Sequence, residues 1–171
     1  RPPTFRLPES TRIRGVVLQV SDLRRSRRFY EQILGFRVVN ESERSIAFGA
    51  ASEGPALVTI IEHAAGSARD VRKKLGLFHF AILLPSRADL GRFVQHLQNE
   101  GVQAGSADHL VSEALYLDDP DGLGIEVYAD RPRDGWRKRG AELVLDSLTL
   151  DTRSLIASGG TIPWAGMPIG T

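Results

Sequence analysis

The sequence predicts an α+β fold in which two βαβββ modules build one curved, eight-stranded mixed sheet. Three observations carry this reading. Strand, cap, helix and glycine occur in the same order twice, and three short extended segments follow each helix. A constant offset relates the copies, 79 − 15 = 64 for the first strands and 126 − 62 = 64 for the last. The helix-ending glycines differ by 101 − 35 = 66, a drift that loops absorb. A unit of this size cannot bury both faces of its sheet alone. Two copies therefore pack edge to edge, with helices on the convex side and a cup on the concave side.

In the first copy, residues 13 to 20 (IRGVVLQV) are β-branched and apolar and stop at Ser21-Asp22, which caps the following helix. On that helix Leu23, Ser26, Tyr30, Ile33 and Leu34 share one face, and Gly35 supplies the left-handed stop. Extended stretches over 36 to 39, 45 to 48 and 56 to 62 follow, parted by charged or Gly/Ser/Pro turns. In the second copy LFHFAILLP at 77 to 85 is a buried strand and Ser86 is the cap. Leu90, Phe93, Val94 and Leu97 form the apolar face of a helix ended by Gly101. Strands over 102 to 104, 112 to 117 and 124 to 128 complete it, the last two joined by the turn Asp118 to Gly122. The implied organisation is an arm at 1–12, modules at 13–66 and 76–132, and a C-terminal extension or linker at 133–171. In that extension a short helix starts at Asp151, and Leu148, Leu150, Leu155, Ile156 and Trp164 pack on the sheet or on a neighbour.

Composition sets the outer limits. The 171 residues are 42% hydrophobic and 25% charged, enough to bury a real core. Twenty-two Lys and Arg stand against 21 Asp and Glu, a net charge of +1, so no basic field exists to hold nucleic acid. The cluster Arg24, Arg25, Arg27, Arg28 reads as a solvated helix face. Cysteine is absent, which removes disulfides, thiolate metal sites and cysteine nucleophiles. No apolar run of ~18 residues occurs, so no membrane span is expected, and the reading is of a soluble, cytoplasmic protein. Nucleophile elbow, P-loop and dinucleotide-binding motifs are missing, and DDPDGLG at 118 to 124 is a turn rather than a calcium loop.

The segment VSDLRRSRRFYEQILGF at 20 to 36 resembles the opening helix of glyoxalase-fold proteins. GLFHFAILLPSRADLGRF at 76 to 93 and ADHLVSEALYLDDPDGLGIEVYADRP at 107 to 132 resemble the catechol 2,3-dioxygenase-like group of the vicinal-oxygen-chelate superfamily, which includes the glyoxalases, bleomycin-resistance proteins and extradiol dioxygenases. The ending WAGMPIGT at 164 to 171 resembles the linker that leads, in those proteins, into a second pair of modules. The resemblance implies a ring-cleavage dioxygenase relative, most similar to its N-terminal half, with weak or no activity alone. Its small-molecule substrate would be a catechol-like diol, its metal Fe²⁺ or Mn²⁺ or none in this chain. A homodimer is compatible with it.

In metal-binding members of such a fold, ligands come from the first and last strands of each module. Those positions here are Gly15, Glu62, His79 and Glu126, and three of them can coordinate a divalent ion. Each has a plainer alternative: His79 as a core histidine bonded to backbone, Glu126 as a paired or solvated carboxylate, Glu62 as a solvated strand end. Strand alternation sets Gly124, Glu126 and Tyr128 on one face. His109 and Tyr116 are the catalytic candidates. His109 serves as a base or donor to a bound phenol, or else fixes its loop by pairing with Asp108, while Tyr116 lines the concave face. His96 reads as a surface residue. Three functions follow: a dioxygenase relative, a metal-free cup for an aromatic or other small ligand, and a lyase or isomerase using the same carboxylates. Gly15, with no side chain to donate, favours the second for the chain taken alone.

Overall fold

The structure, a computed structural model, describes residues 5, 7, 8, 10–63 and 76–171. Residues 1–4, 6 and 9 of the expected arm and 64–66 of the expected first module lie outside the described residues. The first module runs β1 (Val16–Val20), α1 (Leu23–Arg28, continued by a π-helical turn Phe29–Ile33), β2 (Arg37–Ser42), β3 (Ser45–Gly49) and β4 (Val58–Glu62). The second runs β5 (His79–Leu83), α2 (Arg87–Asn99), β6 (Gly105–Asp108), β7 (Ser112–Asp118) and β8 (Gly124–Asp130). The sheets are ordered β1-β4-β3-β2 and β5-β8-β7-β6. In each, the first and last strands pair parallel and the others antiparallel.

Two βαβββ modules are therefore present, with the eight strands divided between two four-stranded sheets. Among the described residues no ladder joins the sheets as one, because the modules are held together elsewhere. Their apolar residues form one contiguous cluster, from Leu18, Tyr30 and Phe48 to Phe93, Ile125 and Val127. Polar bridges add to it at the start of α1. Tyr30 Oη donates to Asp119 Oδ2 at 3.2 Å, and Arg25 meets Asp121 at 2.6 Å. The Ser21 N–H also donates to Asp121, at 2.9 Å. His96 on α2 bonds the carbonyls of Gln32 (3.0 Å) and Ile33 (3.2 Å), so it closes the end of the first module's helix rather than standing free on the surface.

Local chemistry explains the elements. Asp22 caps α1 by accepting from Arg25 N at 2.9 Å, and that hydrogen bond holds its carboxyl below the usual range. Ser86 caps α2 by accepting from Asp89 N at 3.2 Å. Both helices stop at left-handed glycines, Gly35 (φ 78°) and Gly101 (φ 68°). The strand expected at 102 to 104 starts later, at Gly105, since Val102 N–H closes the helix end on Leu97 O.

The extension meets the second module at two places, the edge of its sheet, where Leu148 pairs with Asp108 of β6, and its helix. After a 3₁₀ turn at Arg133–Gly135 and a hairpin of β9 (Lys138–Arg139) and β10 (Glu142–Leu143), α3 (Thr152–Gly159) starts at its Asp151 cap and packs along α2. The two helices touch at glycine: a Cβ on Gly91 would come 2.1 Å from Leu155 O. Trp164 then packs on Phe93, ring centres 5.1 Å apart, and Met167 N–H donates to Gly35 O at 2.8 Å.

Register corrects one expectation. The caps differ by 86 − 22 = 64, as do Val17 and Ala81, which pair with Thr59 and Glu126 respectively. Thr59 rather than Glu62 therefore stands where Glu126 stands, an offset of 126 − 59 = 67 for the last strands. By the same ladders Ala47 pairs with Thr59 as Tyr116 pairs with Glu126.

Candidate functional site on the concave face of the second module

Alternation decides which side chains reach the concave face. On β8, Ile125, Val127 and Ala129 are buried under the helices, so Gly124, Glu126 and Tyr128 turn the other way. On β5, Phe80 and Ile82 are buried, so His79 and Ala81 share the open face. Because β5 pairs with β8 and β8 with β7, side chains from three adjacent strands meet there. His79 Nε2 lies 3.3 Å from Glu126 Oε2, and Tyr116 Oη donates to Glu126 Oε1 at 3.0 Å. His109 Nε2 lies 2.7 Å from Tyr116 Oη. Four of the five candidate residues thus form one strip, joined by two hydrogen bonds and the His79–Glu126 contact.

Glu62 does not join it. Val58 and Ile60 of β4 face the core, and Glu62, two residues on, shares their side and accepts from Leu23 N–H at 3.1 Å at the start of α1. Its carboxylate serves a helix N-terminus, where free N–H groups and the helix dipole favour negative charge. The expectation of a His79, Glu126 and Glu62 metal set is corrected accordingly. Gly15 has no donor, and a Cβ there would fall 2.7 Å from Leu57 O.

The strip is short of protons. Asp146 O lies 2.8 Å from His109 Nδ1 and can only accept, so Nδ1 carries a hydrogen and a neutral His109 presents Nε2 as an acceptor. Asp146, not Asp108, is thus the loop partner of His109. Tyr116 has one proton and two neighbours that accept it, His109 Nε2 and Glu126. Partial burial, together with the hydrogen bond and charge of Glu126, pushes the Tyr116 phenol up to about 12, so it remains a donor at neutral pH. Burial likewise raises Tyr128 on the same face.

A cavity of about 590 Å³ opens beside the strip, walled by Phe78, His79, Gly105, Tyr116, Asp118 and Gly124 among others. Phe78 is 87% exposed, and its ring stands edge-on to His79 with centres 5.3 Å apart. Gly124 keeps this wall low, since a Cβ on it would meet Phe78 O at 2.9 Å and His79 Cβ at 3.1 Å. Sequence reasoning passed over Phe78, whose placement depends on pairing between β5 and β8.

The donor set does not fit a catalytic iron centre. A non-haem iron site of the dioxygenase kind takes two histidines and a carboxylate on one face. Here the strip has two imidazoles and one carboxylate, but His109 meets the protonated Tyr116 phenol, which stands between it and Glu126, so the three do not present one face to a metal. Among the described residues no group of three or more His, Cys, Asp or Glu converges.

Comparison with known proteins agrees with the fold. The model of the Glyoxalase/Bleomycin resistance protein/Dioxygenase superfamily matches residues 12–127. A catechol-2,3-dioxygenase of Bacillus subtilis is 40% identical over 154 residues, covering 89% of this chain and 53% of that protein. The chain thus spans about half the length of this curated relative. A glyoxalase/bleomycin resistance protein/dioxygenase domain from Frankia superposes with a TM-score of 0.58 at 22% identity, over 71% of this chain and 98% of that one. A lactoylglutathione lyase from Agrobacterium tumefaciens gives 0.55 at 19% identity, over 71% and 95%. Likenesses at this identity speak for the fold alone. With two βαβββ modules in place and a family model matching most of its length, the chain belongs to the glyoxalase, bleomycin-resistance protein and dioxygenase superfamily.

Proposed function

We propose that this chain is the N-terminal half of a catechol 2,3-dioxygenase-like protein, and that its second module holds a small diol of the catechol type without cleaving it. The observation that carries this reading is the proton shortage of the strip: Glu126 and His109 Nε2 compete for the one Tyr116 proton. A bound diol brings the missing donors. One of its O–H groups donates to the acceptor left unpaired, and its second oxygen accepts from His79. The ring lies in the cavity against Phe78, where aromatic contacts add to apolar burial. Similarity to a catechol-2,3-dioxygenase supports the ligand class.

Ring opening needs a metal, and the two imidazoles and one carboxylate of the strip do not converge to hold one among the described residues. His79, Glu126, Tyr116 and His109 bind and orient, and the proton that moves is the one shared around Tyr116 Oη. Two measurements test the reading. Calorimetric titration with catechol is expected to give saturable one-to-one binding. Following the yellow ring-opened product after Fe²⁺ is supplied is expected to show turnover far below ~1 per second, the lower end of ordinary enzyme rates. Absence of binding overturns the proposal, and so does turnover at or above that rate.

A further inference from the structure

The structure assigns Asp108 and Arg131 as positioning residues for His109, with the backbone of the C-terminal extension fixing which ring nitrogen faces Tyr116. The local geometry is unusual. Leu110, next to His109, has φ 68°, and among the described residues it is the one non-glycine residue with positive φ. A left-handed leucine is strained and persists only where its surroundings over-determine it.

The surroundings here are specific. Asp108 Oδ1 accepts from Leu110 N–H at 2.9 Å, mimicking a backbone turn, while His109 N–H donates to Ser112 O at 2.8 Å. Asp108 Oδ2 is held by Arg131 Nη2 at 2.7 Å, and Arg131 N–H donates to Val111 O at 2.8 Å. Arg131 Nη2 is fixed in turn by the buried Glu113 at 3.2 Å. The side chain of Asp108 thus shapes the turn, and the guanidinium holds that side chain.

The extension completes the arrangement. Asp108 and Leu148 exchange two backbone hydrogen bonds of 2.9 Å, which lays residues 146 to 148 beside the loop. That pairing puts Asp146 O at 2.8 Å and Ser147 Oγ at 3.4 Å from His109 Nδ1. The carbonyl selects the Nδ1–H tautomer, so Nε2 is the acceptor aimed at Tyr116.

This assignment rests on the reading above for what His109 does with a ligand, so its test needs no ligand. Long-range proton–nitrogen NMR of the ¹⁵N-labelled chain reads the His109 tautomer directly. The Nδ1–H form is expected in the wild type. Asp108→Ala is expected to lose it toward the Nε2–H form that an unconstrained imidazole prefers. Asp108→Asn, which keeps an acceptor for Leu110 N–H, is expected to restore it. Ile156→Ala, which loosens α3 without touching the loop, is expected to leave the tautomer unchanged. An Nε2–H signal in the wild type overturns the assignment without recourse to any variant. An unchanged tautomer in Asp108→Ala, or the same loss in Ile156→Ala, also overturns it. Failure of catechol binding beside an intact Nδ1–H signal would strike the proposed function and leave the clamp standing.

Discussion

The two modules share one framework and differ in what they set on its concave face. Where the second module places Tyr116, Glu126 and Ala81 in cross-strand register, the first places Ala47, Thr59 and Val17. Gly15 stands 64 residues before His79 and has no side chain to offer. One sheet thus carries a polar strip, and the other presents small or apolar groups, Val17 being 68% exposed. On the helix side the contrast continues. The second module's helix is covered by α3 and its sheet is tied to it by the buried Glu113, held by Arg87 at 2.6 Å. The first module's helix is short, ends in a π-helical turn and carries Arg27 where α2 carries Gly91 (91 − 27 = 64). The repeat conserves backbone geometry because the core requires it, while side chains off the core are free to diverge.

The largest effect that would sharpen this contrast is expected at Glu113, which is 2% exposed. Glu113→Ala leaves two guanidinium groups, Arg87 and Arg131, without their shared carboxylate. It should cost about 3 kcal/mol in urea unfolding, as removal of one partner from a buried ion pair does. Arg44, outside the first module's core, should be replaceable by Ala within about 0.5 kcal/mol. Equal losses at both would break the comparison.

Next comes the helix contact. Gly91→Ala drives a methyl into the backbone of α3 and should lower stability by about 2 kcal/mol, even though alanine is the better helix former. Arg27→Ala at the matching position loses exposed ion pairs with Glu31 and Glu41 and should shift the same transition by about 0.5 kcal/mol or less. A neutral Gly91→Ala would mean that α3 does not dock as described.

Ligand binding separates the concave faces. Glu126→Ala should weaken catechol binding about tenfold, a loss of ~1.4 kcal/mol, whereas Thr59→Ala in the first module should leave the titration unchanged. A comparable loss in both would move the site to a shared cup.

The smallest effect is a dependence on pH at the junction of the modules. Burial raises the Asp119 carboxyl above its usual range, opposed by hydrogen bonds from Leu123, Asp121 and Tyr30. A raised value in the fold means that the folded chain holds the proton more tightly. The associated stabilisation is complete below the ordinary aspartate range near ~4 and is lost as pH rises through the raised value. Asp119→Asn should flatten the melting temperature against pH over that interval. An unchanged profile would show that Asp119 is not the group responsible.

Much of this was legible in the sequence. Periodicity, caps and the glycines after each helix located both modules, and the helix from Asp151 followed from its cap and apolar spacing. His79 and Glu126 stood out as polar side chains in apolar strands, Tyr116 by strand alternation and His109 by the resemblance of its loop, and the structure sets the four side by side. Glu62 was misplaced because an offset counted along the chain assumes equal connections. The longer α2 and the turns after it add three residues, and in a strand an odd shift turns a side chain to the opposite face.

By itself the sequence determined the order of elements, the repeated unit and the residue types able to do chemistry, since these depend on local propensity and on which side chains water rejects. Tertiary structure alone decided the rest. Ladder register chose Thr59 over Glu62 as the counterpart of Glu126, core packing and polar bridges joined the modules without a shared ladder, and a carbonyl 37 residues beyond His109 set its tautomer. Such contacts link groups far apart in the chain, and their partners are fixed only when the strands and the extension have taken their places.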